Sequence, residues 1–309
     1  MISNMKDKYC GCLMGLVIGD AICAPFEGGI LEKCLWKIIG KTKSGKLRYT
    51  DDTQMALDLG QHLVNNHTID QDALAKEFAS NYRWSRGYGP STISVLKQIR
   101  NGVDWSEAST NRFKEGSFGN GAAMRIAVIA LAYADAGKYN EDLHTAIRLA
   151  SEVTHPNPLA IEGAMIIAFS ILGVMQGWSS IEIINSLSEK CNEASYLKKM
   201  VHLKEWVSSD QIVNSNKLKK CIGLGTPAEE SCLAAIYIAL SFKNDDLLSM
   251  LNYINHCGGD TDTIGAMSGS IWGAANGSAK IPDDLCEMVE SVDEMHQVAM
   301  GVYDLSLSK

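Results

Sequence analysis

The sequence lacks the features by which several large classes of protein are recognised. Lysine and arginine number 28 against 36 aspartates and glutamates, and this shortage of positive charge disfavours a general nucleic-acid-binding protein. Sustained period-two alternation with β-branched residues, the pattern of strands, is absent. No Ser/Gly-rich linker or low-complexity stretch divides the 309 residues, so we expect one domain over residues 1–309.

Two further absences concern redox chemistry and membranes. None of the nine cysteines forms a Cys-x-x-Cys pair, and Cys10 and Cys12 lie too close together for a zinc knuckle. Reduced, mostly buried thiols in a cytoplasmic protein fit this usage best. The apolar run Cys10–Ile18 follows two lysines, as in a signal peptide, but Asp20 interrupts it and it is too short to cross a bilayer. We therefore expect a cytoplasmic protein without a membrane segment.

What the sequence does contain is helical periodicity, with apolar residues at three-to-four spacing. The segments with this pattern are 9–23, 53–65, 69–83, 91–100, 120–136, 141–153, 158–177, 179–193, 195–207, 228–241, 245–256, 263–276 and 283–303. The longest stretches without it are 26–50, 101–119 and 208–226. The predicted fold class is all-α, and loops this long are usually functional or mobile.

Glycine recurs at every fourth position in two of the predicted helices. The positions are Gly11, Gly15, Gly19, Gly265, Gly269, Gly273 and Gly277. Inside a helix each glycine costs about 1 kcal/mol relative to alanine, so the two stripes need a compensating interaction. Close approach of two helix backbones would supply it, and we expect both helices to be buried centrally beside the functional site.

Two clusters of aspartate and threonine carry the strongest chemical signal. Asp51 and Asp52 lie within Tyr49–Thr53, and Asp260 and Asp262 lie within Gly258–Thr263. Hard cations such as Mg²⁺ and Mn²⁺ prefer carboxylate oxygens, and two such ions about 3.5–4 Å apart form a known hydrolytic device. Either cluster alone fits helix N-capping equally well. Two matching clusters favour a metal site.

A glycine-rich loop precedes the segment 120–136. Its residues are Gly116, Ser117, Phe118, Gly119, Asn120 and Gly121. Such a loop before a helix can present free amides to an anion, although a simple turn is the commoner explanation. It matches neither a Walker loop nor a dinucleotide-binding fingerprint.

Two single residues are also candidates. His155 lies at a break between predicted helices, where a structural hydrogen bond is the commoner role. Glu27 follows the first helix and precedes Gly28-Gly29. It is either an ordinary surface acid or a general acid or base on a moving loop.

Taken in order, these motifs resemble the ADP-ribosylglycohydrolase family, which includes the dinitrogen-reductase-activating glycohydrolases of bacteria and the ADP-ribosylhydrolases of animals. The resemblance spans nearly the whole chain, through GCLMGLVIGD, YTDDTQMAL, GNGAAMRI, VTHPNP and GGDTDTIGAMSG. It implies a compact, single-domain orthogonal bundle of helices with two Mg²⁺ or Mn²⁺ ions in a central cleft. The metal ligands it implies are Thr50, Asp51, Asp52, Asp260, Asp262 and Thr263.

The resemblance also assigns roles to the other motifs. It implies that Glu27 acts in catalysis together with Asp52 and Asp262. The residues implied to bind ADP-ribose are Gly116, Ser117, Phe118, Gly119, Asn120, Gly121 and His155, with Phe118 near the adenine. The implied reaction is hydrolysis of the glycosidic bond between ADP-ribose and an acceptor. The acceptor would be a protein side chain, with arginine slightly favoured, or a small conjugate. We expect a monomer with an ADP-ribosylated protein or conjugate as its partner.

Three alternatives remain open at this stage. A crystallin-like protein on the same fold would have lost metal-site aspartates, and all four are present here. A terpene-synthase type of enzyme would need an acid where this chain has Met55, and 7% aromatic residues are few for a carbocation cavity. A non-catalytic module that binds ADP-ribose is disfavoured by the intact ligand set.

Gln54 stands where several bacterial relatives have glutamate, and it bears on specificity alone.

Overall fold

The computed structural model of the protein describes residues 2–134, 141–209 and 212–308. In these ranges the chain forms helices and three isolated β-bridges, and no strand, so the all-α prediction is confirmed. The α-helices are α1 (Ile2–Cys23), α2 (Ile30–Ile39), α3 (Asp51–Asn66), α4 (Gln71–Asn81), α5 (Pro90–Arg100), α6 (Trp105–Asn111), α7 (Ala127–Ala132), α8 (Glu141–Glu152), α9 (Pro158–Met175), α10 (Ser180–Lys190), α11 (Ala194–Val207), α12 (Ser215–Cys221), α13 (Ala228–Ser241), α14 (Leu247–Cys257), α15 (Thr261–Asn276), α16 (Asp283–Met288) and α17 (Val292–Ser306). Short 3₁₀ segments cover Ala24–Phe26, Trp84–Arg86, Asn120–Arg125 and Ser278–Lys280.

Several predicted boundaries are wrong. Each long stretch without periodicity contains a short helix, namely α2, α6 and α12. The segment 120–136 is not one helix, because a 3₁₀ turn over Asn120–Arg125 precedes α7, and residues 135–136 lie outside the described ranges. The segment 283–303 is split into α16 and α17. At this break Leu47 forms a parallel β-bridge with Val289, which holds the chain extended there.

The two glycine stripes pack α1 antiparallel against α15, the most extensive helix pair in the structure. A Cβ placed on Gly15 would overlap the carbonyl of Gly269, and one placed on Gly269 would overlap the carbonyl of Gly15. The backbones therefore touch directly, as the stripes predicted. Because the helices are antiparallel, the C-terminal end of α1 lies beside the N-terminal end of α15. Thr261 Oγ1 donates to the carbonyl of Cys23 at 2.9 Å across this junction.

Within the described ranges, two helices are long and apolar enough to span a membrane by length and composition, Asn4–Phe26 and Pro158–Met175. The first corrects our judgement that this part of the chain is too short, because the helix extends well beyond the run Cys10–Ile18. In both, 83% of the apolar window is buried inside the molecule. Core helices and signal sequences meet the same criterion, so the absence of a membrane segment stays a prediction.

Candidate active site

The first aspartate cluster opens α3. Thr50 is the N-cap, and its hydroxyl accepts the amide of Asp52 at 3.4 Å. Capping therefore accounts for Thr50 but not for Asp51 and Asp52, whose side chains lie in the first turn of the helix. The Asp52 carboxylate receives the hydroxyl of Thr50 at 3.0 Å and that of Thr263 at 3.4 Å. Its Oδ1 atom is buried and has no hydrogen-bond partner among the described residues.

The second cluster opens α15, directly after the positive-φ residues Gly258 and Gly259. Asp260 occupies the N-cap position, yet its side chain makes no capping hydrogen bond. Its Oδ2 atom instead accepts the side-chain amide of Asn120 at 2.5 Å. Asp262 accepts the amide of Thr263 at 2.9 Å. As in α3, capping leaves both aspartates of the cluster available for another role.

Asp20 lies between the two clusters, and sequence reasoning did not recognise it as part of the site. It is fully buried in the last turn of α1 and accepts hydrogen bonds from the amides and hydroxyls of both Thr50 and Thr53, at 2.5 to 3.1 Å. These contacts hold the start of α3 against the end of α1. The available signal was an acid placed directly after Gly19, the last glycine of a stripe, at the end of the apolar part of the helix.

The electrostatics of the site favour a bound cation. Burial raises the pKa of Asp51, Asp52 and Asp262 well above the usual value, and neighbouring carboxylates raise it further. Burial also raises the pKa of Asp260, and that of Asp20 to about 6. Among the described residues no lysine or arginine pairs with these groups. Buried carboxylates without such partners must bind protons or metal ions.

Glu27 joins the acidic cluster from a different element. It follows the 3₁₀ turn Ala24–Phe26, and its amide donates to the carbonyl of Ala24 at 3.2 Å. Oxygens of Glu27, Asp260 and Asp262 lie within 4.8 Å of one another. Such a set of hard oxygen donors, together with the unpartnered oxygen of Asp52, fits a divalent cation such as Mg²⁺ or Mn²⁺.

A cavity of about 270 Å³ connects the acidic cluster to the glycine-rich loop. The predicted site residues that line it are Glu27, Asp51, Asp52, Ser117, Phe118, Gly119, Asn120, Gly121, His155, Asp260, Asp262 and Thr263. Thr50 and Gly116 are not among them. Gly116 has φ 78°, and a Cβ there would overlap the ring of Pro156, so this glycine makes a turn.

The glycine-rich loop is held by the segment that precedes α13. The amide of Asn120 donates to the carbonyl of Thr226 at 3.0 Å, and the amide of Ala228 donates to the carbonyl of Phe118 at 3.0 Å. The amide of Asn120 is therefore not free to bind an anion, in contrast to the simplest interpretation of the loop. The side chain of Asn120 also contacts Ser231 Oγ at 2.9 Å, so one residue connects the loop, α13 and Asp260.

Two aromatic rings stand at the opening of the cavity. Phe118 is 44% exposed and its ring centroid lies 6.0 Å from that of Phe113, which is 38% exposed. The guanidinium of Arg112 lies 5.7 Å from the centroid of Phe113. Sequence reasoning identified Phe118, which is part of the glycine-rich motif 116–121, but not Phe113 or Arg112, which precede that motif and belong to no recognisable pattern.

Comparison with known proteins agrees with this arrangement of motifs. The profile of the ADP-ribosylglycohydrolase family matches residues 1–308. The chain belongs to this family. It is accordingly a glycosyl hydrolase of the ADP-ribosylglycohydrolase family.

Curated relatives occur in animals and bacteria. ADP-ribosylhydrolase ARH3 of Bos taurus is 29% identical to the chain, and the match covers 97% of this chain and 94% of that protein. The Homo sapiens ARH3 is 28% identical, with 96% and 93% covered. The uncharacterised protein YegU of Escherichia coli K12 is 29% identical, with 98% and 97% covered. These identities are nearly equal, so they do not favour a bacterial over an animal type of ADP-ribosylglycohydrolase.

A solved structure supports the fold of the family. A chain described as an ADP-ribosylglycohydrolase-related protein complex superposes with a TM-score of 0.72. The two sequences are 22% identical, and the match covers 98% of this chain and 99% of the other. At this identity the likeness concerns the helical architecture alone.

Proposed function

We propose that the chain hydrolyses the glycosidic bond between ADP-ribose and an acceptor with the help of two divalent cations, Mg²⁺ or Mn²⁺. The observation that carries this proposal is the convergence of Glu27, both aspartate clusters and the glycine-rich loop on one cavity. The four aspartates of the two clusters would, once deprotonated, balance the charge of two such ions.

Each group of residues has a distinct task in this proposal. Of the six metal ligands that the resemblance implies, we keep Asp51, Asp52, Asp260, Asp262 and Thr263 as candidate ligands. Bound cations would orient the distal ribose and stabilise negative charge next to the reacting carbon. Thr50 does not line the cavity, and its hydroxyl contacts Asp20 and Asp52, so we assign it to orienting Asp52. Asn120 orients Asp260 through its side-chain amide.

The proton transfer is assigned to Glu27. Cleavage of a glycosidic bond passes through an oxocarbenium-like state, in which water attacks the anomeric carbon as the bond to the acceptor breaks. The water loses a proton, which Glu27 accepts and can return to the departing acceptor. Glu27 is half-buried at the cavity wall, close enough to Asp260 and Asp262 to stand beside a ribose held there. A general base of this kind contributes about 10²–10⁴-fold to the rate.

The glycine-rich loop and the aromatic opening would hold the rest of the ligand. Ser117, Gly119 and Gly121 line the cavity between the acidic cluster and the two phenylalanines. We assign the diphosphate and adjoining ribose to this stretch, and the adenine to Phe118. The exposed rings of Phe118 and Phe113 offer apolar faces on which a base can stack.

The acceptor from which ADP-ribose is released belongs to one of two classes. An ADP-ribosylated protein side chain or a small ADP-ribose conjugate would serve, and arginine is our slight preference from the sequence. A monomeric state, a cytoplasmic location and the absence of a membrane segment also stay predictions. A non-catalytic, crystallin-like role is not favoured, because the acidic cluster is intact.

The proposal is tested by measuring release of free ADP-ribose from arginine-, serine- and acetyl-linked substrates, with Mg²⁺, Mn²⁺ or EDTA. Metal-dependent release from one linkage is the expected result, and it identifies the acceptor. Release that persists unchanged in EDTA would contradict the role of the cations. Tight binding of ADP-ribose without release from any linkage would favour a binding module instead.

A further inference from the structure

Arg125 is a completely buried cation that no catalytic role assigned above uses. Its side chain has an exposure of 0%, and no carboxylate lies within ion-pair distance among the described residues. The guanidinium lies 4.8 Å from the centroid of the Phe78 ring. Buried charges in proteins are normally paired or bind a ligand, so an unpaired guanidinium at this depth calls for a specific explanation.

The hydrogen bonds of Arg125 join two segments that line the cavity. Its Nη1 atom donates to the carbonyl of Gly121 at 2.7 Å. Its Nη2 atom donates to the carbonyl of Ala150 and to Thr154 Oγ1, both at 2.9 Å. Ala150 lies in the last turn of α8, where unpaired carbonyls carry partial negative charge. Arg125 thus fixes the glycine-rich loop relative to the segment that carries Thr154 and His155.

The hydroxyl of Thr154 transmits this arrangement to the histidine ring. Thr154 Oγ1 accepts from Arg125 and lies 2.8 Å from His155 Nδ1. The hydroxyl has one hydrogen, and within the described part of the chain Nδ1 is the one acceptor in reach of it. If Nδ1 carried a hydrogen, the hydroxyl hydrogen of Thr154 would be buried without an acceptor, because Thr154 is 1% exposed. The hydroxyl therefore donates to Nδ1.

The opposite nitrogen of the ring then carries the hydrogen. His155 lines the cavity, and its Nε2 atom would lie 2.8 Å from a Cβ at Gly121 and 3.7 Å from one at Gly119. The ring therefore rests against the bare backbone of the loop. Burial and the charge of Arg125 lower the pKa of His155 to about 3, so the ring is neutral at pH 7. No side chain or carbonyl in the described ranges accepts from Nε2.

We propose that Arg125 and Thr154 are positioning residues that hold His155 as the neutral Nε2–H tautomer, so that it donates one hydrogen bond to an oxygen of ADP-ribose at the glycine-rich loop. The identity of the ligand rests on the proposed function, whereas the tautomer does not. This role accounts for the burial of Arg125. Its positive charge disfavours a protonated His155 ring, and the hydrogen bond from its Nη2 atom orients the hydroxyl of Thr154. Position 121 must be glycine, because a side chain there would displace the imidazole ring of His155.

The test combines nuclear magnetic resonance of the ring with ligand binding. Long-range ¹H–¹⁵N spectra of histidine-labelled protein report the tautomer, and a His155→Gln variant assigns the signals among the seven histidines. Thr154→Val removes the hydroxyl at nearly constant shape, and Thr154→Ser restores it. Ser151→Ala is the matched control, because the buried hydroxyl of Ser151 in α8 donates to the carbonyl of Ile147. It takes no part in the relay, that is, in the hydrogen bonds that run from Arg125 through Thr154 to His155.

The expected result is an Nε2–H ring in the wild type, Thr154→Ser and Ser151→Ala, and a changed tautomer in Thr154→Val. The dissociation constant for ADP-ribose should rise on the order of tenfold in Thr154→Val alone, as expected for loss of one hydrogen bond to the ligand. KM should rise more than kcat falls. Arg125 itself is left in place, because its removal would empty part of the core.

Two outcomes would overturn the proposal. An Nδ1–H or doubly protonated ring in the wild type contradicts the relay directly. An unchanged tautomer and unchanged affinity in Thr154→Val show that the hydroxyl positions nothing. Either outcome leaves the proposed function standing, because turnover is measured separately. Failure of the wild type to bind ADP-ribose would instead remove both the ligand in this proposal and the proposed function, even with the ring in the Nε2–H form.

Discussion

Asp20 and Asp52 share a single hydroxyl. Thr50 Oγ1 lies 2.9 Å from Asp20 Oδ1 and 3.0 Å from Asp52 Oδ2, and it has one hydrogen to give. Asp20 also receives the hydroxyl and amide of Thr53. The aspartate at the end of α1 thereby determines where the first turn of α3 places its carboxylates.

We therefore predict that Asp20→Asn weakens both stability and metal binding. An asparagine would turn an amide towards donors that now meet a carboxylate, and each buried donor left without an acceptor costs about 1–3 kcal/mol. Chemical denaturation and Mn²⁺ calorimetry would measure the two effects. Asp7→Asn is the matched control, since Asp7 binds Ser278 at 2.6 Å at the opposite end of α1. It should lower stability and leave Mn²⁺ affinity unchanged, and an equal loss of Mn²⁺ affinity in both variants would contradict this prediction.

Asp262→Asn should have opposite effects on the metal-free and metal-bound protein. Burial and the carboxylates of Glu27 and Asp52 raise the pKa of Asp262, so the folded, metal-free protein must keep this carboxyl protonated at a free-energy cost that asparagine does not carry. We expect a higher melting temperature in EDTA, loss of the rise that saturating Mg²⁺ gives, and no detectable turnover. Asp304→Asn, at an exposed position of α17, should behave as wild type. Wild-type turnover in Asp262→Asn would refute the metal assignment.

Glu27→Gln separates proton transfer from binding. If Glu27 is the general base, kcat should fall about 10²–10⁴-fold while the dissociation constant for ADP-ribose stays within about twofold. Single-turnover kinetics and calorimetry measure the two quantities. The number of bound Mn²⁺ ions should not change, and a lower number would mean that Glu27 ligates metal with Asp260 and Asp262. Glu115→Gln, at an exposed position outside the cavity lining, controls for loss of an acid near the opening.

The sequence predicts the acidic clusters and the helix pairing because both are local patterns. Two aspartates separated by at most one residue, and glycines at every fourth position, are visible without any knowledge of the fold. Asp20 was missed because its partners, Thr50 and Thr53, lie about 30 residues away and only packing brings them together. The tautomer of His155 likewise depends on contacts between three segments.

The short helices escaped prediction for a different reason. α6 and α12 have seven residues each, fewer than two turns, so an apolar repeat cannot be distinguished from chance. The division of the segment 283–303 depends on the pairing of Val289 with Leu47, a contact distant in sequence. Arg112 and Phe113, which follow α6 directly, line the cavity, so this part of its wall could not be predicted from the sequence.

Gly15→Ala tests whether close helix contact positions the site. A Cβ at this position would overlap the backbone carbonyl of Gly269, which cannot move as a side chain can. We expect a loss of at least about 1–3 kcal/mol of unfolding free energy, with weaker Mn²⁺ binding because the ends of α1 and α15 shift apart. Gly89→Ala is the matched control, since no atom lies within 4 Å of a Cβ there and its φ is −62°. Equal denaturation midpoints for the two variants would contradict the packing argument.

The buried carboxyl of Asp58, which is not a candidate metal ligand, should make the stability of the protein depend on pH. Its Oδ1 atom accepts the side-chain amides of Gln54 and Asn81 at 3.1 and 2.9 Å, and Oδ2 is buried with no partner in the part of the chain that the structure describes. Burial raises its pKa from 3.8 to about 7, against the lowering effect of the two amides. The folded protein therefore keeps a proton that the unfolded chain releases between these two values. Since the unfolded state then binds fewer protons, stability falls as pH rises from 3.8 to about 7 and levels off above.

Asp58→Asn should remove this part of the pH dependence. The variant minus wild-type difference in unfolding free energy should increase from pH 4 to pH 7 in favour of the variant, and then stay constant. Urea denaturation in EDTA across this range measures it, and the difference cancels the contribution of the other buried carboxylates. Asp246→Asn is the control, because hydrogen bonds from Ser249 lower the pKa of Asp246 below 3.8, so its stabilisation is lost only below this range and its difference from the wild type should stay nearly constant. A pH-independent difference for Asp58→Asn would show that Asp58 is ionised throughout.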